Sequence, residues 1–383
     1  MGDRILFQPI TRVVAGLLGL ALSVAGCAST SRDAGGPASR RAAFEAAADA
    51  VIAAHVDKDE FAGNVLVAFD GRPVLHRATG LADRTWNVAA TPDMAYRIGS
   101  TTKTFTAVAV LQLAEAGKVA IATPVRFYLP DLPESWSAIT VEHLLAHESG
   151  IPELLSSTNS FTRLVRVDRT PKEAAELVAD RPLAFAPGSA YAYSNTNYIL
   201  LGRLIETVSG QPYDAYVAQH ILAPAGMTRT GYFDPGAILP RAATGYLVEG
   251  GVARSMFYIS PTVTYAAGNL YSTAGDLLAF DRALHEGNLL RPETRAMMLK
   301  DRGHGYGLGV FVDKAAGETM VGHPGTLPGF LSDYQRFTGF PLTIVVLSNT
   351  YPGKVETMTR TLAAAFVEHC GKAEAKARCG LGE

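Results

Sequence analysis

Strand-like sequence in this chain of 383 residues sits in two places far apart. Asn64 to Phe69 and Pro73 to Thr79 form one pair of runs, joined at Asp70-Gly71. Asp-Gly is a strong hairpin signal, because both central turn residues need positive φ. The other runs come only after His304: Gly309 to Val312, Thr319 to His323, Leu331 to Phe337 and Leu342 to Leu347. Between them, Ser100 to about Leu299 reads as helical, broken by Pro/Gly loops. Helical periodicity also marks Ala42 to Val56 (Phe44, Ala47, Ala48, Val51, Ile52) and Val355 to His369. Short hairpin connections favour antiparallel pairing. The two ends of the chain are therefore expected to share one sheet. The expected class is α/β (α+β), an antiparallel sheet flanked by terminal helices plus a helix-rich lobe. The sheet lobe takes residues 42–99 and 304–370, and the helical lobe 100–303. A cleft between two such lobes is a common place for a site.

Composition narrows the function. Hydrophobic residues make up 48% and charged residues 18%, enough for a large core without staples. A formal charge of -2 argues against nucleic acid as a partner held by bulk positive charge. Three cysteines exclude a disulfide scaffold, a Cys-rich zinc module and an iron–sulfur protein. His143 and His147 have i, i+4 spacing but lack the internal Glu of H-E-x-x-H. Bonds to local backbone near a helix end account for them better than metal ligation. Phosphate-loop and G-x-S-x-G motifs are missing too. No cofactor and no metal is expected.

The amino terminus reads as an address. Arg4 and Arg12 lead into an apolar run from Val13 to Ala25, too short to span a bilayer and suited to a signal-peptide core. Val24-Ala25-Gly26-Cys27 resembles the lipobox of bacterial lipoproteins. On that resemblance residues 1–26 are a signal peptide, and Cys27 is lipidated and holds the protein to a membrane. Ordinary cleavage leaving a free Cys27 is the alternative. Ala28 in place of Asp favours, by analogy, the periplasmic face of an outer membrane. Residues 27–41 read as a flexible tether and 371–383 as a tail. Cys370 and Cys379 either close a small loop or stay as free thiols.

Chemistry concentrates in three stretches. Ser100-Thr101-Thr102-Lys103 opens an apolar helical run that ends near Gly117. Lys103 lies one turn from Ser100 on nearly the same face. A serine hydroxyl needs a base, and a lysine is one only if its pKa falls from about 10.4 toward 7–8. Tyr193-Ser194-Asn195 offers a phenol for proton relay and an amide to hold a substrate carbonyl and orient Lys103. Gly322-His323-Pro324-Gly325-Thr326 ends a predicted strand, where backbone N–H groups of Thr326 and Ser100 could form an oxyanion hole. Phe257, Tyr258 and Tyr265 either line the cleft or pack, and Arg97 reads as structural.

S-x-x-K, Y-S-N and H-x-G in this order resemble the serine β-lactamase and penicillin-binding-protein superfamily, in the branch with class C β-lactamases, D-Ala-D-Ala carboxypeptidases and related esterases. His143 to Gly150, Tyr198 to Gly202 with Glu206, and Gly268 to Leu277 resemble further segments of that branch. The likeness covers about residues 40–370 and implies a β-lactamase/transpeptidase-like fold. It implies an acyl-enzyme on Ser100, proton transfer by Lys103 and Tyr193, and substrate contacts from Asn195, His323, Gly325 and Thr326. Many relatives carry K-T-G where this chain has His323-Pro324-Gly325. Proline lacks the hydroxyl that would contact a substrate carboxylate. That loss is worth about 1.5–3 kcal/mol and shifts the expectation from β-lactamase or carboxypeptidase toward an esterase or D-amino-acid peptidase. The expected partner is a small ester, amide or peptide. A penicillin-recognising sensor with slow deacylation is the non-enzyme alternative.

Overall fold

Two strands from opposite ends of the chain lie side by side at the centre of the main sheet. In the computed structural model, which describes residues 36–154, 164–287 and 289–381, β1 (Gly63–Phe69) is fully buried along all seven residues. It turns at Asp70 and Gly71, with φ of 52° and 68°, into β2 (Arg72–Thr79). The carboxyl-terminal half supplies β3 (Phe311–Ala315), β4 (Glu318–Leu327), β5 (Phe330–Phe337) and β6 (Leu342–Ser348). All six strands pair antiparallel in the order β3-β4-β5-β6-β1-β2. Val65 faces Val346 across the β1–β6 seam.

Strand alternation feeds two cores. Val65, Val67 and Phe69 point to the face covered by helices α1 (Pro37–Val56) and α4 (Val355–Cys370). Phe366 of α4 meets Phe44 edge-on at 5.3 Å and stacks on Phe69 at 5.5 Å. Leu66 and Ala68 point the other way, into the larger core around α2 (Thr102–Glu115). Thr102 to Leu111 are all buried, so α2 is wrapped on every side. Helix α3 (Asn195–Ser209) packs against it. Asp281 ties the lobes together: it accepts from Tyr334 at 2.8 Å, Arg336 at 2.8 Å and Thr343 at 2.7 Å.

Several expectations need correction. The region 100–303 is not purely helical: Gly231–Tyr232, Tyr246–Glu249, Val252–Ser255 and Leu270–Ser272 are strands. Runs of two to four residues are too short to show a period of two. The first helix begins at Pro37, so 37–41 belong to α1 and not to a tether; proline at the first turn suits a helix start. The carboxyl-terminal segment is not a loose tail. Cys370 and Cys379 are joined in a disulfide, and the short helix Ala375–Cys379 packs on α1. Residues 1–35, including the apolar run and Cys27, lie outside the described residues. No helix among the described residues is long and apolar enough to cross a membrane.

Phe366→Ala removes the ring shared by both terminal helices and the sheet. We expect a loss of about 3–5 kcal/mol, read as a lower urea midpoint at unchanged slope.

Candidate active site

Ser100 sits in a single 3₁₀ turn, Gly99–Thr101, that leads directly into α2. Gly99 has φ of +49°, and its Cα side lies against β4: a Cβ there would come within 2.9 Å of the Thr326 nitrogen. A Cβ on Gly325 would reach within 1.9 Å of the Ile98 carbonyl oxygen. Two missing side chains thus let β4 run against the nucleophile turn. β3 pairs with β4 only as far as Gly322, so from His323 to Leu327 one edge of β4 has no sheet neighbour. That is where a proline is tolerated within a sheet, and it explains why β4 continues through Pro324 to Leu327 and does not stop at His323. Thr101 and Ser332 stitch the turn to the strands: Thr101 Oγ1 donates to the His323 carbonyl at 2.8 Å and Ser332 Oγ to the Ile98 carbonyl at 2.7 Å.

Ser100, Lys103, Tyr193 and Asn195 come together. Lys103 is 0% exposed. Its Nζ lies 3.1 Å from Ser100 Oγ, 2.8 Å from Asn195 Oδ1 and 2.7 Å from the Ala267 carbonyl oxygen. The last two can only accept. Asn195 is held in that orientation by Glu153, which receives its Nδ2 at 3.2 Å and its backbone N–H at 2.5 Å. A neutral amine therefore gives both hydrogens away and turns its lone pair to Ser100 Oγ. Burial lowers the Lys103 pKa to about 7, and the Glu153 carboxylate opposes that shift.

The Tyr193 ring lies 4.8 Å from Lys103 Nζ. Burial holds the phenol well above its usual value, so it is neutral at rest; the nearby Ser100 hydroxyl pulls the other way. His147 fixes the segment that carries it. Its carbonyl accepts from Ala192 N–H at 2.9 Å, its Nδ1 accepts from Ser194 N–H at 3.1 Å, and its ring packs 4.3 Å from the Tyr193 ring.

Other predicted residues fall differently. His323 is 1% exposed, and both ring nitrogens are engaged inside the protein. Nδ1 lies 2.6 Å from the Pro324 carbonyl, which can only accept, so Nδ1 carries the hydrogen. Nε2 then accepts from the Tyr306 hydroxyl at 3.1 Å. Burial, aided by nearby Lys103, lowers its pKa to about 3. The ring is a neutral packing element in this state, with both nitrogens already engaged. Gly325 contributes closeness of backbone, and the Thr326 side chain is exposed. His143 does bond local backbone, accepting from Thr140 N–H at 3.3 Å, whereas His147 reaches a segment 47 residues away. No metal-holding cluster occurs among the described residues. Glu153 and the Ala267 carbonyl escaped sequence reasoning. A single acid in a loop and a main-chain oxygen carry no pattern that could have revealed them.

Residues 48–368 match the family model described as Beta-lactamase. PbpX of Bacillus subtilis (strain 168), named as a penicillin-binding protein, is 31% identical over 75% of this chain and 70% of its own length. A D-stereospecific amidohydrolase from Streptomyces sp. superposes with a TM-score of 0.71 at 29% identity, covering 86% of this chain and 99% of that one. The D-amino acid amidase of Ochrobactrum anthropi SV3 shares the fold at a TM-score of 0.76 and 24% identity, over 85% and 99% of the two chains. The chain belongs to the β-lactamase family, within the serine β-lactamase and penicillin-binding-protein superfamily. It is a hydrolase of the serine type.

Gly325→Ala should drive β4 away from Ile98 and Ser100. We expect destabilisation of about 1–3 kcal/mol with a fall in kcat larger than the rise in KM, from thermal melts and steady-state kinetics with a p-nitrophenyl ester.

Proposed function

We propose that the protein cleaves a small ester or amide, of the esterase or D-amino-acid peptidase kind, through a covalent acyl-enzyme on Ser100. The observation that carries this reading is the Lys103 amine, whose two fixed acceptors leave its lone pair for the Ser100 hydroxyl. Lys103 takes the Ser100 proton as Oγ bonds to the scissile carbonyl carbon. The oxyanion rests on the backbone N–H groups of Ser100 and Thr326, a role supported by the Gly99–Thr326 contact. The leaving group departs with a proton from the Tyr193 hydroxyl, which Lys103 replenishes. Water then attacks the ester, giving its proton to the same pair, and Ser100 recovers its hydrogen.

Pro324 removes a side-chain hydroxyl at the strand edge, which supports weak handling of β-lactams and D-Ala termini. The 29% identical Streptomyces relative, named a D-stereospecific amidohydrolase, supports amides of D-amino acids among the substrates to try. Fast nitrocefin hydrolysis would reverse that preference. A lasting penicillin adduct by intact mass, without ester turnover, would make the protein a sensor. Export and anchoring through Cys27 belong to the same proposal and rest on the sequence Val24-Ala25-Gly26-Cys27. Cys27→Ser should move the protein from the membrane fraction to the soluble one.

Ser100→Ala should abolish p-nitrophenyl ester turnover. Lys103→Ala and Tyr193→Phe should each slow the chemical step by about 10²–10⁴-fold with little change in binding; unchanged acylation in pre-steady-state kinetics would remove them from the mechanism. The reactive amine is the deprotonated form, so kcat/KM should rise with pH through about 7 and level off above it. Glu153→Gln withdraws a charge that raises the Lys103 pKa and should move this limb to lower pH.

A further inference from the structure

Arg97 takes no part in the steps above. It lies on the short strand Tyr96–Arg97, three residues before Ser100. One Nη donates to Asn269 Oδ1 at 3.0 Å, and the guanidinium stands over the Phe233 ring at 4.4 Å. Its Nε is buried without a hydrogen-bond partner, and among the described residues Arg97 forms no ion pair. Asp168, beside Tyr258, is occupied by the Ser260 and Tyr258 hydroxyls. Burial lowers the Arg97 pKa to about 10, which leaves it charged at neutral pH. The side chain is half-buried, held by one neutral amide and one aromatic face and by no carboxylate, so an incoming anion would meet little competition for it.

The same side chain helps to line a cavity of about 400 Å³. Phe233, Phe257, Tyr258, Tyr271 and Phe330 supply aromatic walls. The size suits a small organic ligand. Ser100, Lys103 and Tyr193 are not in these walls, but two lining residues are close to their site along the chain: Arg97 precedes Ser100 by three residues and Pro328 follows Thr326 by two. Three residues span at most about 11 Å of chain, so Arg97 and the nucleophile are within reach of one small molecule.

We propose that this cavity binds a carboxylate borne on an apolar or aromatic body, with the carboxylate on the Arg97 guanidinium and the body against the surrounding rings. Arg suits the task because its planar fork matches a carboxylate and stacks on aromatic faces. As a statement about substrate, this rests on the hydrolase reading: it places an anionic group on the arm of the substrate that enters this cavity. As a statement about a ligand, it stands apart from catalysis.

Calorimetric titration of the purified chain with 4-phenylbutyrate and with 4-phenylbutan-1-ol tests it. The acid should bind about 10- to 100-fold more tightly than the alcohol. Arg97→Met should erase that preference and Arg97→Lys should keep part of it. Equal binding of acid and alcohol to the wild-type protein, or no saturable binding of the acid, overturns the site, whether or not Arg97→Met folds. A preference undiminished in a folded Arg97→Met protein overturns the role of Arg97. The two readings separate cleanly: ester turnover that survives Ser100→Ala ends the hydrolase and leaves the carboxylate site, whereas equal binding ends the carboxylate site and leaves the hydrolase.

Discussion

Everything at the site follows from one amine held out of water. Lys103 is fully enclosed, with no carboxylate in direct contact, between Ser100, Asn195 and the Ala267 carbonyl. A charged ammonium is poorly tolerated there, and the deprotonated form becomes accessible near neutrality. The surroundings also decide which way that form faces. Glu153 orients Asn195, Asn195 takes one hydrogen, and a main-chain oxygen takes the other. Basicity and direction thus come from the same few contacts, which is why an otherwise ordinary lysine can serve a serine.

Most of the architecture was legible in the order of its periods. Asp70-Gly71 marked the hairpin, and the runs after His304 matched β3 to β6 to within a few residues; β6 is the clearest, because a strand buried along its whole length leaves a nearly continuous apolar run. The short strands around Tyr96–Arg97 and Leu270–Ser272 were hidden, since their pairing is tertiary and their length shows no alternation. The junction at Pro324-Gly325 looked like a strand end because local signals cannot report that one edge of β4 faces a turn and not another strand.

Motif spacing brought Ser100, Lys103, Tyr193 and Asn195 into view as a group. Their supports were less visible. His147 looked like a residue closing its own helix, yet it grips the loop that presents Tyr193. His323 looked like a ligand contact, but the carbonyl of Pro324 and the hydroxyl of Tyr306 already satisfy it. Arg97 looked structural, and its contact with Asn269 is structural; only the cavity beside it, assembled from five separate segments, gives its charge another meaning. Residue type tells what a side chain can do, but burial and neighbours decide what it has left to offer.

The disulfide-closed segment after α4 folds back onto the first turn of α1, so that a Cβ on Gly380 would sit 3.4 Å from the Pro37 side chain. The described chain therefore starts and finishes at one spot, on the side of the sheet turned away from Ser100. Whatever loosens one of these ends loosens the packing of the other, on the face of the sheet opposite the one that carries Ser100.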